Sequence, residues 1–450
     1  MTSSVAACTS DLAPCVRPAG WGAGEDLQRS EREGFLLGRS RSNGRTGSLL
    51  RYGGAGHLLT FAPTRAGKGM GALMPNLLTH PGSVVVLDPT GANFAVTAER
   101  RNRMGQQVVV LDPFDVTDGY AYAGALNPLE MIDPTSPDAV DDATALADML
   151  VCTQGPAMDG GYWDTEARAL IAGLILHVCQ SHPRGSCLRN LAEVRRLLTL
   201  SREEFATMSA EMDRSANTFV QRSADRHAQK ESKEASGVLS TAQAHTHFLD
   251  SQRIAGVMGS TTFDLARLKT RGDLSLYLVL PPERIGIHRG WLRLVLWSVL
   301  TTLTRTPGAP ERRVLLLLDE VAQLGRIDLL YRLHSLLAGY GATFWLFFQD
   351  LAQLSSTYPA EWQSFVSNSA VLQAFNVNDT QTAELVAGKL RGLMEPADVL
   401  GLDPRTSLLV RNGRPPVAAC KLDYRRDREF EGRFQPNPLY VRTAARMAAI

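Results

Sequence analysis

Ala62-Pro63-Thr64-Arg65-Ala66-Gly67-Lys68-Gly69-Met70 follows an apolar run, His57-Leu58-Leu59-Thr60-Phe61, and precedes a stretch, Met70 to Leu78, that suits a helix. A strand, a turn of small residues with a Gly-Lys pair, and a helix together make a cradle for polyphosphate. The N–H groups of such a turn point inward, and the helix N-terminus adds partial positive charge. Thr64, Arg65, Ala66, Gly67, Lys68, Gly69 and Met70 are the candidate nucleotide-binding residues, with Lys68 near the β- and γ-phosphates. The match to G-x-x-x-x-G-K-[ST] is partial. Ala62 replaces the first Gly, and Gly69 replaces the hydroxyl residue that binds Mg²⁺. The competing structural reading is a left-handed turn that needs Gly only for its backbone.

A second element bears on that choice. Val314-Leu315-Leu316-Leu317-Leu318-Asp319-Glu320 is five apolar residues ending in two carboxylates, the pattern of a buried parallel strand with acids at its C-terminal end. Ligands of open α/β sheets gather at that end. Asp319 is the candidate magnesium ligand, directly or through water, and Glu320 the group that polarises the attacking water. A third strand, Ala342 to Phe348, ends at Gln349, placed to sense the γ-phosphate or orient water. An exposed acidic turn and a Gln capping a turn are the plain alternatives.

With 450 residues, the chain can hold two or three domains and a large core. A net charge of +1 means that any nucleic-acid contact is a local feature rather than a bulk one. The six Cys (8, 15, 152, 179, 187, 420) form no C-x-x-C pair, which suits reduced thiols rather than a zinc site or disulfide frame. His245-x-His247 is the one close His pair and has no evident third ligand. No apolar run reaches the roughly 18 residues of a bilayer span. Ala169 to Cys179 and Trp291 to Leu303 read as buried helices, no signal peptide is evident, and a soluble cytoplasmic chain is expected.

The layout divides into five parts. Residues 1–33, rich in Ser, Ala, Pro, Gly and charge, read as a mobile tail. Residues 34–136 hold short strands around Asn43-Gly44 and then α/β units, with strands near 57–62, 83–88 and 107–112, forming the first part of a nucleotide-binding domain. Residues 137–265 show only helical periodicity and form an all-helical insert, with one long polar helix expected from Asn217 to Phe248. Residues 266–440 return to strands (274–280, 314–318, 342–348, 369–377) and end in a hairpin turning at Asn412-Gly413, forming the second part of the nucleotide-binding domain. Residues 441–450 are a C-terminal tail. Arg195, Arg196, Arg222, Arg226, Lys230 and Lys233 of the insert form either a basic face for DNA phosphates or an ordinary solvated surface.

These residues resemble the coupling ATPases of type IV secretion and bacterial conjugation, of the TraG type, over about Gly34 to Tyr440. The phosphate loop, with Gly after its Lys, looks like that family's own. Pro75-Asn76-Leu77-Leu78, Ser83 to Pro89, Phe263-Asp264, Leu318-Asp319-Glu320 with Leu324-Gly325-Arg326, and Gly339-Tyr340-Gly341 follow in the family's order. So do Gln349-Asp350-Leu351, Asn378-Asp379 with Thr382-Ala383-Glu384, and Pro436-Asn437-Pro438. The resemblance implies a RecA-like P-loop NTPase domain with a mainly parallel sheet and an inserted all-α domain. It implies ATP and Mg²⁺ as cofactors, a homo-hexameric ring at the cytoplasmic face of the inner membrane, and partners that include single-stranded DNA with its relaxase, effector proteins and secretion-channel proteins. Arg326 is the candidate arginine finger. Two departures stand out: the family's initial transmembrane helices are not seen, and Asp88-Pro89-Thr90-Gly91-Ala92 stands where Asp-Pro-Lys-Gly-Glu is common. They motivate a second reading, a nucleotide-dependent recruitment adaptor with little hydrolysis. An FtsK-like DNA translocase is a third.

Overall fold

A computed structural model describes residues 20–22, 24–29, 34–42, 45–151 and 161–438. The remainder of the two expected tails and the Asn43-Gly44 turn lie outside the described residues. Eleven strands form one sheet: β1 (Phe35–Ser42), β2 (Arg45–Tyr52), β3 (His57–Phe61), β4 (Val84–Leu87), β5 (Gln107–Leu111), β6 (Leu274–Leu278), β7 (Val314–Leu318), β8 (Ala342–Phe348), β9 (Ser369–Ala374), β10 (Thr406–Arg411) and β11 (Val417–Cys420). Their spatial order is β2-β1-β11-β10-β9-β3-β8-β7-β4-β6-β5. From β9 to β5 every pairing is parallel, whereas β10, β11, β1 and β2 extend the sheet antiparallel.

The parallel strands are mainly apolar because both faces are covered. Leu316, Leu318, Phe344, Leu346 and Leu59 face one core, which continues through the helices Ala139–Leu150, Tyr162–Ser181 and Pro282–Arg305. Leu315, Leu317, Trp345, Phe347 and Leu58 face the other, under Leu73, Leu77 and Phe94. Between β5 and β6 the named elements of the described chain are all helical, and their apolar faces are continuous with the first of these cores. The two apolar runs read as buried helices lie in Tyr162–Ser181 and Pro282–Arg305, and no described helix is long and apolar enough to cross a membrane.

Two expectations are corrected. The single helix from 217 to 248 is broken into Thr218–Ala228, Ser232–Thr246 and a 3₁₀ turn, His247–Asp250. Glu231 takes an extended conformation, and both helices then pack on Tyr162–Ser181, where one straight helix would leave half its apolar stripe uncovered. Lys230 pins the break, 2.9 Å from both Glu166 and Glu234. Secondly, part of the stretch expected as a mobile tail is packed. A short helix, Glu25–Arg29, buries Leu27 with Leu50 and Val417, and Asp26 pairs with Arg411.

Candidate nucleotide site

All seven parallel strands end at one edge, and the order of strands decides what meets there. Phe61 at the end of β3 is in register with Phe348 of β8, and Leu318 of β7 with Leu346. The strand carrying Gln349 therefore lies between the strand of the phosphate loop and the strand of the two acids. Arg65 and Gly67 adopt left-handed backbone (φ 64° and 90°), which turns the loop around on itself; Gly67 does this without the cost a Cβ brings. Gly69–Leu73 is a π-helical turn that runs on as the α-helix Met74–Thr79. It lies so close to the segment after β11 that a Cβ on Gly71 would sit 3.1 Å from the Leu422 carbonyl oxygen.

Lys68 is 8% exposed. Its Nζ lies 2.5 Å from Glu320 Oε1 and 3.1 Å from Asp319 Oδ1. Burial alone would lower the lysine's pKa, but the two carboxylates outweigh it and hold the pKa above its ordinary value. Burial pushes the Asp319 carboxyl up, against the pull of Lys68 and with the adjacent Glu320 charge adding to the rise. Gln349 Nε2 donates to Glu320 Oε2 at 2.9 Å. Glu320 itself is left-handed (φ 54°), a strained conformation for a residue with a Cβ, costing about 1–2 kcal/mol. Lys68, Asp319, Glu320 and Gln349 thus form one hydrogen-bonded cluster beside the loop of Thr64 to Met70.

The donor set suits a magnesium–nucleotide pair better than a free metal. Among the described residues no group of three or more His, Cys, Asp or Glu could hold an ion. Magnesium, however, commonly takes one or two carboxylates, with water and substrate phosphates completing its shell. Asp319 and Glu320 offer those carboxylates, and the loop offers N–H groups and an ammonium for the phosphates. His245 and His247 are spent otherwise: the first contacts Asp164 Oδ1 at 3.0 Å, the second the Ala244 carbonyl.

Arg326 is not part of this cluster. It makes a two-pronged pair with Glu361 (2.8 Å for each bond) and a further bond to Asp328 at 2.8 Å, and Glu361 leads in holding its pKa above the ordinary value. Four of the six basic residues of the helical segment are also paired: Arg195 with Asp250, Arg196 with Glu193, and Arg226 and Lys230 with Glu166. The ordinary-surface alternative fits these four.

Two neighbours of the cluster were not anticipated. Lys421, just past β11, donates from Nζ to the Ala66 carbonyl and to Asn376 Oδ1, both at 2.7 Å, and lies 4.9 Å from the Phe375 ring centre. Burial lowers its pKa to about 8. It is 355 positions from Ala66, so no local pattern marks it. Lys421→Met, which keeps the stem and removes both bonds, is expected to weaken nucleotide binding about 10-fold by freeing the loop. Titration with a fluorescent ATP analogue checks this, and an unchanged affinity would remove Lys421 from the loop's support.

Asp88, at the end of β4, is fully buried and accepts from Phe94 N (2.8 Å) and Asn93 Nδ2 (3.2 Å). Burial nevertheless raises its pKa to about 6 from 3.8. The folded form holds this proton more tightly, so the contribution to stability is present below pH ~4 and is lost as pH rises through about 6. Measured against Asp88→Asn by urea unfolding, the native chain should lose about 3 kcal/mol of relative stability between pH 4 and 7. A difference that stays constant across that range would contradict the buried carboxyl.

Comparison with known proteins gives the family and the fold. Residues 20–390 match the family model described as Type IV secretory system Conjugative DNA transfer. A conjugal transfer protein TraG of Escherichia coli is 29% identical over 353 residues, covering 74% of this chain and 55% of that protein. Protein VirD4 of Rhizobium radiobacter is 26% identical over 446 residues, covering 91% of this chain and 63% of that protein. The chain thus spans between 55% and 63% of the length of these two relatives. In fold it matches the bacterial conjugative coupling protein TrwBdeltaN70 in its unbound monoclinic form, with a TM-score of 0.68 at 18% identity over 92% of this chain and 95% of the other. That match establishes a RecA-like P-loop architecture. With the model match covering well over half of its residues, the chain belongs to the type IV secretory system conjugative DNA transfer family.

Proposed function

We propose that this chain is an ATP-hydrolysing coupling protein that delivers DNA, as a relaxase-bound single strand, or protein cargo to a type IV secretion channel. The observation that carries the reading is the Lys68–Asp319–Glu320–Gln349 cluster at the mouth of a phosphate-binding loop. TrwB, a structural neighbour, has been solved with the ATP analogue ADPNP and with ADP and Mg²⁺, which supports nucleotide and magnesium as ligands of this chain.

In this mechanism Thr64 to Met70 wrap the phosphates with backbone N–H groups, and Lys68 leaves its carboxylate partners to meet the β- and γ-oxygens. Asp319 would hold magnesium, directly or through water, and the ion when bound would supply neutralising charge for the phosphates. Glu320, released from Lys68, accepts a proton from the attacking water. Gln349, already bonded to Glu320, registers the γ-phosphate. Arg326 acts in trans as an arginine finger only by leaving Glu361 and Asp328. The working form is a homo-hexamer at the cytoplasmic face of the inner membrane.

ATP hydrolysis by the purified chain, measured with and without single-stranded DNA, tests the reading. Turnover stimulated by DNA supports a motor. Nucleotide binding without turnover under either condition would replace the motor with a recruitment adaptor.

A further inference from the structure

A cavity of about 330 Å³ lies away from the Lys68 cluster, between the helices Ala139–Leu150, Tyr162–Ser181 and Pro282–Arg305 and the chain that follows Glu320. Five arginines line it: Arg168, Arg289, Arg293, Arg326 and Arg332. Among the described residues Asp148 and Asp328 are the acids of its wall, and Glu361, outside the lining, pairs with Arg326, which leaves an excess of two positive charges. Arg168 is paired with Asp148 and Arg326 with Asp328. Arg289 and Arg332 have no carboxylate partner within 4.0 Å among the described residues. Arginines gathered at one cavity with so few acids repel one another, and an anion placed among them relieves that cost.

We infer that this cavity binds phosphate groups and that its occupancy is transmitted to Glu320. Guanidinium forks match phosphate oxygens two at a time, which an ammonium does not. The one aromatic side chain of the wall, Trp297, is buried and offers no stacking face, so the site reads charge rather than bases. The link to Glu320 is short. A 3₁₀ turn, Val321–Leu324, follows it directly, and Gly325 comes next with left-handed backbone. Arg293, 6% exposed, donates to the carbonyls of Met149, Leu324 and Arg326, so one buried side chain ties the cavity wall to this segment. Arg289 reaches the same segment, its Nη1 lying 3.9 Å from where a Cβ on Gly325 would be. A phosphate drawn to Arg289 and Arg332 therefore pulls on the chain that positions the catalytic carboxylate. The transmission half of the inference rests on the ATPase reading above; the phosphate site does not.

The phosphate is either a phosphodiester of a nucleic-acid strand or a free ion, and the test separates them. Binding of fluorescein-labelled dT30 to the full chain is followed by anisotropy across a salt series, and binding of inorganic phosphate by calorimetry in excess ADP. The double variant Arg289→Ala/Arg332→Ala is compared with Arg184→Ala/Arg214→Ala, which removes the same charge from exposed positions of the helical segment. For a strand, the first variant should weaken dT30 binding about 10-fold or more and lower the salt slope by about 1.4, at about 0.7 per phosphate contact. It should also lose dT30-stimulated turnover while basal turnover and nucleotide affinity stay in place. The control should change none of these. Equal binding of dT30 and of inorganic phosphate by both variants overturns the site and leaves the proposed function standing. Arginine-dependent binding of inorganic phosphate with no dT30 binding keeps the site and removes the DNA half of the proposed function. Binding of neither probe overturns the site and removes the DNA half of the proposed function.

Discussion

Lys68→Ala is expected to bring ATP turnover down by at least ~10²–10³-fold, to the background of the assay. The argument is electrostatic. Charge builds on the transferring phosphoryl group, and Lys68 is the cation that the loop carries into that region. The same substitution should be felt without nucleotide, because the ammonium now sits 2.5 Å from Glu320 and 3.1 Å from Asp319. Its removal leaves two adjacent, largely buried carboxylates with no counter-charge, at a cost of about 1–3 kcal/mol at neutral pH. Burial already raises the Asp319 pKa, and loss of Lys68 raises it further. A carboxyl raised in the folded state contributes stability at low pH that is lost as pH rises. The destabilisation should therefore shrink on acidification. Phosphate release and denaturant unfolding at two pH values check both parts. Turnover within tenfold of the native chain would take Lys68 out of the reaction.

Glu320→Gln separates binding from chemistry. An amide at this position still offers an oxygen to Lys68 and fits the same space, but it cannot accept a proton from water. Turnover should fall ~10²–10⁴-fold, with nucleotide affinity within about threefold of the native chain. The left-handed backbone at Glu320 is unaffected by the change, since Gln and Glu share their Cβ. Equilibrium binding of a fluorescent ATP analogue, run beside the hydrolysis assay, gives the answer. Loss of binding in parallel with turnover would mean that Glu320 shapes the loop rather than activates water.

The parts of this fold that could be read in the sequence are those fixed by local pattern. Strands such as Val314–Leu318 and Ala342–Phe348 are buried on both faces and so are apolar at every position but Thr343, which leaves their place in the chain plain. Asp319, Glu320 and Gln349 stand just past strand ends, and Lys68 in the loop that follows β3, where the parallel sheet gathers them. What could not be read depends on distant residues meeting. The break at Glu231 follows from the surface that Tyr162–Ser181 offers, and the engagement of Arg326 follows from Glu361, 35 positions on. Lys421 reaches Ala66 only because the terminal hairpin lies across the loop. The docking of Leu27 has the same origin, a distant surface that composition alone does not reveal.

The antiparallel margin of the sheet also sets an order of events in time. Strand β1 pairs with β2 on one side but with β11 on the other, through Arg39 and Cys420, and Lys421 follows directly. During synthesis from the N-terminus, the phosphate loop emerges from the ribosome long before the lysine that braces it. A nascent chain stopped short of residue 421 can collapse its parallel core, yet its nucleotide pocket lacks a wall. The brace that Lys421 gives the loop is thus added only 355 residues after Ala66 has been made, so the loop passes through much of synthesis without it.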